Sequence, residues 1–162
     1  MVKNPRLEII RRLQIYYPLL GSALDSDSNT PLYRAAIHSN SVEMVRELAQ
    51  LHPAALETRG VFGYTPLHLA VEYSDSVDVI RELAQLYPAA LELKDAGGNT
   101  PIHLAVKYLE NVEKLLVLAQ IRPAVLEIKD AHGGTPLHRA VKYSKSTVAI
   151  IQEMVSLSRY NK

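Results

Sequence analysis

The chain is 162 residues long, 48% hydrophobic and 22% charged, and its 18 basic and 17 acidic residues leave a net charge of +1. That is apolar enough for one packed domain, and the interleaved charges argue against a chain built to neutralise phosphates or coat an anionic membrane. With no cysteine, disulfides and thiolate metal sites are excluded.

At the N-terminus Arg6, Glu8, Arg11 and Arg12 interrupt any apolar run, so no secretory signal is expected there. No uncharged stretch approaches the roughly 18 to 20 residues that span a bilayer, and the chain is expected to be soluble and cytoplasmic or nuclear. Asn4-Pro5 is a helix entry, and Leu7, Ile9, Ile10, Leu13 and Tyr16 follow at mostly helical spacing up to Tyr17-Pro18. Next comes a linker, Gly21 to Asn29, whose Asp25, Ser26, Asp27, Ser28 and Asn29 favour turns through local side-chain bonds.

From Thr30 onward the chain repeats. Thr65-Pro66-Leu67-His68-Leu69-Ala70-Val71 returns as Thr100-Pro101-Ile102-His103-Leu104-Ala105-Val106 and as Thr135-Pro136-Leu137-His138-Arg139-Ala140-Val141. A looser copy is Thr30-Pro31-Leu32-Tyr33-Arg34-Ala35-Ala36, and the threonines at 30, 65, 100 and 135 set a constant period of 35. Threonine caps the orphan amides, proline loses nothing at the first helical position, and Leu-x-x-Ala starts an apolar face. A short helix is predicted at every copy.

A second helix is predicted after the breaks Ser39-Asn40-Ser41, Ser74-Asp75-Ser76, Leu109-Glu110-Asn111 and Ser144-Lys145-Ser146, whose last residue is each time an N-capping type. Glu43, Asp78 and Glu113 complement the positive end of the helix dipole. Val42, Val45, Leu48 and Ala49, with their counterparts Val77, Ile80, Leu83 and Ala84 and then Val112, Leu115, Leu116 and Ala119, form an apolar stripe. His52-Pro53, Tyr87-Pro88 and Arg122-Pro123 end these helices, and turn-rich segments such as Lys94-Asp95-Ala96-Gly97-Gly98-Asn99 lead to the next Thr-Pro. One period before Pro53 stands Pro18, so the first helix reads as the second half of a unit, an N-terminal cap. A unit of two short helices cannot bury its own apolar face and must stack. The expected architecture is an all-α solenoid forming a single domain over 1–162, with a cap over 1–24, repeats over 25–59, 60–94 and 95–129, and a C-terminal unit over 130–162.

These residues make the chain resemble the ankyrin-repeat family, whose marks are Thr-Pro-Leu-His-x-Ala at the first helix, an Asp-x-x-Gly turn before it and a unit near 33 residues. The resemblance covers essentially the whole chain. Departures are one extra residue between the helices, one after the second helix, proline where the family usually ends that helix with glycine, and Tyr33 in place of histidine. The tetratricopeptide alternative lacks its Trp and Gly-Tyr signatures. By the resemblance, His68, His103 and His138 brace the turns locally, and partners are bound through turn tips and the exposed side of the first helices.

No Gly-rich phosphate loop, Ser/His/Asp elbow or His-x-x-x-His pair occurs in the sequence. His38, His52 and His132 read as surface residues, and the recurring Glu47, Glu82, Glu57 and Glu92 as solvated side chains. Neither catalysis, metal nor cofactor is expected, nor is nucleic acid or membrane binding. What remains is recognition of a protein partner. At the tips Ser26, Asp27 and Asn29 become Val61, Phe62 and Tyr64, then Ala96, Gly97 and Asn99, then Ala131, His132 and Gly134. Along the first helices Ile37-His38 becomes Glu72-Tyr73, Lys107-Tyr108 and Lys142-Tyr143. The expected contact set is Val61, Phe62, Tyr64, Glu72, Tyr73, Lys107, Tyr108, His132, Lys142 and Tyr143, with Phe62 and Tyr64 both exposed. The tyrosines fit a packed structural column equally well. A second reading, an engineered or consensus-like scaffold without a natural partner, is suggested by the near identity of Arg46-Glu47-Leu48-Ala49-Gln50-Leu51 and Arg81-Glu82-Leu83-Ala84-Gln85-Leu86. The chain is expected to be a monomer or to self-associate weakly through its final helix, where Ile150, Ile151, Met154, Val155 and Leu157 exceed one buried stripe.

Overall fold

Each Thr-Pro pair opens a helix. The computed structural model describes residues 5–16, 20–107, 112–143, 152 and 154–156; among them there are helices and turns and no strand. In chain order the α-helices are α1 (Pro5–Tyr16), α2 (Pro31–His38), α3 (Val42–Leu51), α4 (Pro66–Tyr73), α5 (Val77–Leu86), α6 (Pro101–Lys107), α7 (Val112–Ile121) and α8 (Pro136–Tyr143). Thr30 and Thr65 are extended, and their hydroxyls accept the N–H of Tyr33 at 3.2 Å and of His68 at 3.4 Å. Ser41 and Ser76 cap α3 and α5 in the same way, accepting from Met44 at 3.2 Å and Val79 at 3.3 Å. The corresponding caps expected at Asn111 and Ser146 lie outside the described residues.

The prolines after the second helices do more than the sequence predicts. His52, Tyr87 and Arg122 leave the helical region, as a residue before proline must. Each proline then opens a new 3₁₀ turn, Pro53–Leu56, Pro88–Leu91 and Pro123–Glu127, because its fixed φ and missing N–H suit a first helical position. These turns bury Ala55, Ala90 and Leu91, and Val125 and Leu126 beneath the helices.

Packing follows the period. Helices α2, α4, α6 and α8 form one layer and α3, α5 and α7 the other, each helix lying on its counterpart one unit away. Leu32, Leu67 and Ile102 form one buried column and Ala35, Ala70, Ala105 and Ala140 a second, while Leu137 is half-buried. In the other layer Val45, Leu48 and Ala49, Ile80, Leu83 and Ala84, and Leu115 and Ala119 are buried. Val42, Val77, Val112 and Leu116 sit at the edge of that stripe, and Val79 and Val117 join it instead.

An ion-pair ladder fixes α1 in the same register. Arg46 grips Glu82 through two bonds of 2.7 and 2.8 Å, and one period earlier Arg11 pairs with Glu47. Helix α1 thus sits on α3 as α3 sits on α5. Its predicted apolar stripe needs correction, since Leu7 is buried but Ile9 and Leu13 face solvent; among the described residues α1 packs chiefly on α3. The final helix needs one too. Met154, expected among the outward apolar residues, is buried in the core, with Val155 half-buried; Ile150, Ile151 and Leu157 lie outside the described residues.

Thr100→Ala removes a fully buried hydroxyl that meets His103 Nδ1 at 2.8 Å. We expect a loss of about 1 to 2 kcal/mol in urea denaturation, the upper part of the range for a lost cap; an unchanged midpoint would refute the capping account.

Candidate functional site

The turn tips are built on one plan with one exception. An aspartate heads the first, third and fourth tips, and all four turns pass through a left-handed residue at the same place, Ser28, Gly63, Gly98 or Gly133. Asp25 Oδ1 accepts the N–H of Asp27 at 2.9 Å and of Asn29 at 3.0 Å, and Asp130 Oδ1 accepts from His132 at 2.7 Å and Gly134 at 2.9 Å. Backbone donation from Asn29 and the Arg34 guanidinium hold the Asp25 carboxyl down to about 2. Burial alone would raise Asp130, but Arg139 and the two tip amides outweigh it and push it below the usual carboxylate range.

The second tip has Gly60 where the others have aspartate. It forms a 3₁₀ turn, Val61–Gly63, in which Phe62 takes φ 61° and ψ 14°. Phe62 is 70% exposed and Val61 projects beside it. Sequence reasoning placed Tyr64 with them, and this needs correction, because Tyr64 is only 9% exposed. Its ring stacks on the His68 imidazole with centroids 5.6 Å apart, and the Phe62 ring tilts over it at 6.1 Å. The period put Tyr64 on the tip; the fold uses it as a floor.

The other candidates lie at the ends of first helices, apart from His132 on the fourth tip, which lines one shallow pocket together with Lys142. Tyr73 is half-exposed at 52%, Lys107, His132 and Lys142 are exposed, and Glu72 is half-buried. Tyr108 and the side chain of Tyr143 lie outside the described residues. Among the described residues no group of three His, Asp or Glu could hold a metal, and no helix is long and apolar enough to cross a membrane.

The repeated histidines are structural. Nδ1 of His68 receives the N–H of Thr65 at 3.3 Å and its hydroxyl lies at 2.8 Å. A backbone N–H can only donate, so Nδ1 is an acceptor and the proton resides on Nε2, which points at the carbonyl of Asn99, 3.2 Å away on the next tip. His103 repeats this with Thr100 and with the carbonyl of Gly134 at 3.2 Å. Each ring therefore couples its own helix start to the following unit. His138 keeps the Thr135 contact at 2.7 Å but is exposed.

A layered stack of helix-turn-helix units with periodic capping threonines defines a repeat protein of the solenoid class. A family model for ankyrin repeats in three copies matches residues 1–95, and the chain belongs to the ankyrin-repeat family. Comparison with curated proteins gave no match. Ankyrin repeats are generally protein-interaction modules, and the family is typically non-catalytic.

Sequence reasoning missed the arginines that bind the tips. Arg34 Nε donates to Asp25 and Arg139 Nε to Asp130, both nine residues back. It also missed the contact between Tyr33 and Gly60, whose departures from the repeat were visible singly but not as neighbours.

Burial lowers the pKa of His68 and His103, against the raising effect of the Asn99 and Gly134 carbonyls. Below the ordinary value near 6.5 the unfolded chain then binds more protons than the folded one, so stability falls as pH drops. We expect a lower urea midpoint at pH 5 than at pH 7, with a shallower dependence in His103→Gln. A flat profile from pH 7 to 5 would contradict the neutral-imidazole assignment.

Proposed function

We propose that this chain is a non-catalytic recognition module, working in the cytoplasm or nucleus, that holds a partner protein against its second tip and the exposed side of its first helices. One observation carries the reading: a bulky aromatic, Phe62, stands in water in a left-handed backbone conformation. That conformation costs on the order of 1 to 2 kcal/mol for a residue other than glycine, and such strain collects at ligand clamps and switch regions. A ring already held outward loses little freedom on binding, so it suits a partner with an apolar pocket for one ring. Val61 widens the anchor, and Tyr73, Lys107, His132 and Lys142, with Glu72 at the edge, supply a polar rim. Tyr64 supports the anchor from below. Tyr108 and Tyr143 extend the rim on the strength of the sequence alone. The module is taken as one domain, a cap over 1–24 followed by units over 25–59, 60–94, 95–129 and 130–162.

A partnerless scaffold fits the likeness between units. Against it stands the second tip, where Asp gives way to Gly and an apolar pair faces water, changes that a consensus frame has no reason to contain.

Captured proteins compared quantitatively between the wild-type chain and Phe62→Ala test the proposal. A true anchor is worth about 2 kcal/mol or more, so the variant should lose its specific partner roughly thirtyfold while keeping its thermal midpoint. Equal capture by both chains would defeat the reading.

A further inference from the structure

We propose that Tyr33 and Gly60 act together as positioning residues that force Phe62 of the second tip into its left-handed, ring-outward form, beside the left-handed Gly63 whose counterparts all the tips share. In the other tips the leading aspartate accepts the N–H four residues on, from Asn29 at 3.0 Å, Asn99 at 2.8 Å and Gly134 at 2.9 Å. Gly60 offers no carboxylate. The matching amide, Tyr64 N–H, reaches instead for the Val61 carbonyl at 3.4 Å, which tightens the turn and carries Phe62 to φ 61°. The Phe62 carbonyl then accepts the N–H of Ala96 at 2.8 Å and is fastened to the third tip. A tip amide deprived of its acceptor must find another, and the one available dictates the turn.

Gly60 is not required by its own backbone, since φ −91° is open to any residue. It is required by space. A Cβ at this position would lie 2.1 Å from Tyr33 Oη and 2.3 Å from Cζ, and the Tyr33 side chain is buried. Units two to four carry histidine in its place. The shorter imidazoles of His68 and His103 end at the carbonyls of Asn99 and Gly134 and leave room for Asp95 and Asp130. The phenol of the first unit therefore excludes the aspartate of the second tip, and that exclusion sets the backbone from which Phe62 projects. This deepens the recognition reading and rests on it for its consequence, yet it is testable without a partner.

Phe62 is the one phenylalanine in the chain, so phenylalanine labelling gives a single NMR reporter. In Tyr33→His/Gly60→Asp the carboxylate returns, and we expect loss of the Phe62–Tyr64 ring cross-peak and exchange of the Ala96 amide faster by roughly tenfold. Gly60→Asp alone should lower the thermal midpoint, with Tyr33→His rescuing it. The inference is overturned if Phe62 and Ala96 behave in the double variant as in the wild type, or if Gly60→Asp is as stable alone as with Tyr33→His. If the coupling holds while Phe62→Ala leaves capture unchanged, the inference stands and the recognition reading alone falls.

Discussion

The stack depends on the imidazole that bridges one unit to the next. His68 and His103 each hold the threonine that starts their own helix and point Nε2 at the carbonyl that closes the following tip. Both rings are fully buried, where a satisfied polar group orients its neighbours and an unsatisfied one costs about 1 to 3 kcal/mol. Hydrophobic columns supply the driving force but slide easily, because leucine against leucine tolerates small shifts. The histidine does not, since its two nitrogens demand a donor on one unit and an acceptor on the next. Register at these two junctions is therefore specified by hydrogen bonds and stabilised by apolar burial.

Much of this was legible because each piece of the frame is chemically over-determined. Thr-Pro announces a helix start through two independent effects, capping and the missing amide, so α2, α4, α6 and α8 begin where the sequence says. The 3₁₀ turns were less legible because proline sends two messages, ending one helix and beginning another, and only the packing of Ala55, Ala90 and Val125 beneath the core shows that the second is in force. In α1 the helical spacing of Leu7, Ile9, Ile10 and Leu13 was real, but spacing does not say how many neighbours a helix has.

The tip is where periodic reasoning divides. Aligning Phe62 and Tyr64 with small and polar residues of other tips singled out both as anomalies, yet alternate residues of a turn face different ways. Phe62 projects, whereas Tyr64 occupies the position that precedes the capping threonine and stacks on the imidazole below. An aromatic there lengthens the histidine bridge into a pile of three rings, Phe62 on Tyr64 on His68. The exposed Phe62 ring is thus continuous with the interaction that fixes the register of the stack, and its backbone is set by a tyrosine that replaces the histidine one unit earlier.

The same logic explains which positions carry charge. At one place in the first helix the four units read Arg34, Leu69, Leu104 and Arg139. Leu69 and Leu104 are buried, each flanked by first helices on both sides, and there an arginine would have to be desolvated and paired. Arg34 and Arg139 belong to the outer units, where the side chain reaches its own tip and clasps Asp25 or Asp130. In the first unit this pair stays at the surface, whereas Arg139 and Asp130 are largely withdrawn from water and hold each other as a pair. The exchange also requires that the tip aspartate be present, and it is present wherever the arginine is. The third tip keeps Asp95 beside Leu104, satisfied by Asn99, while the second, beside Leu69, has no arginine to hold. Because Leu69 stands where the outer pairs have arginine, the aspartate that Tyr33 excludes from the second tip leaves no guanidinium stranded there.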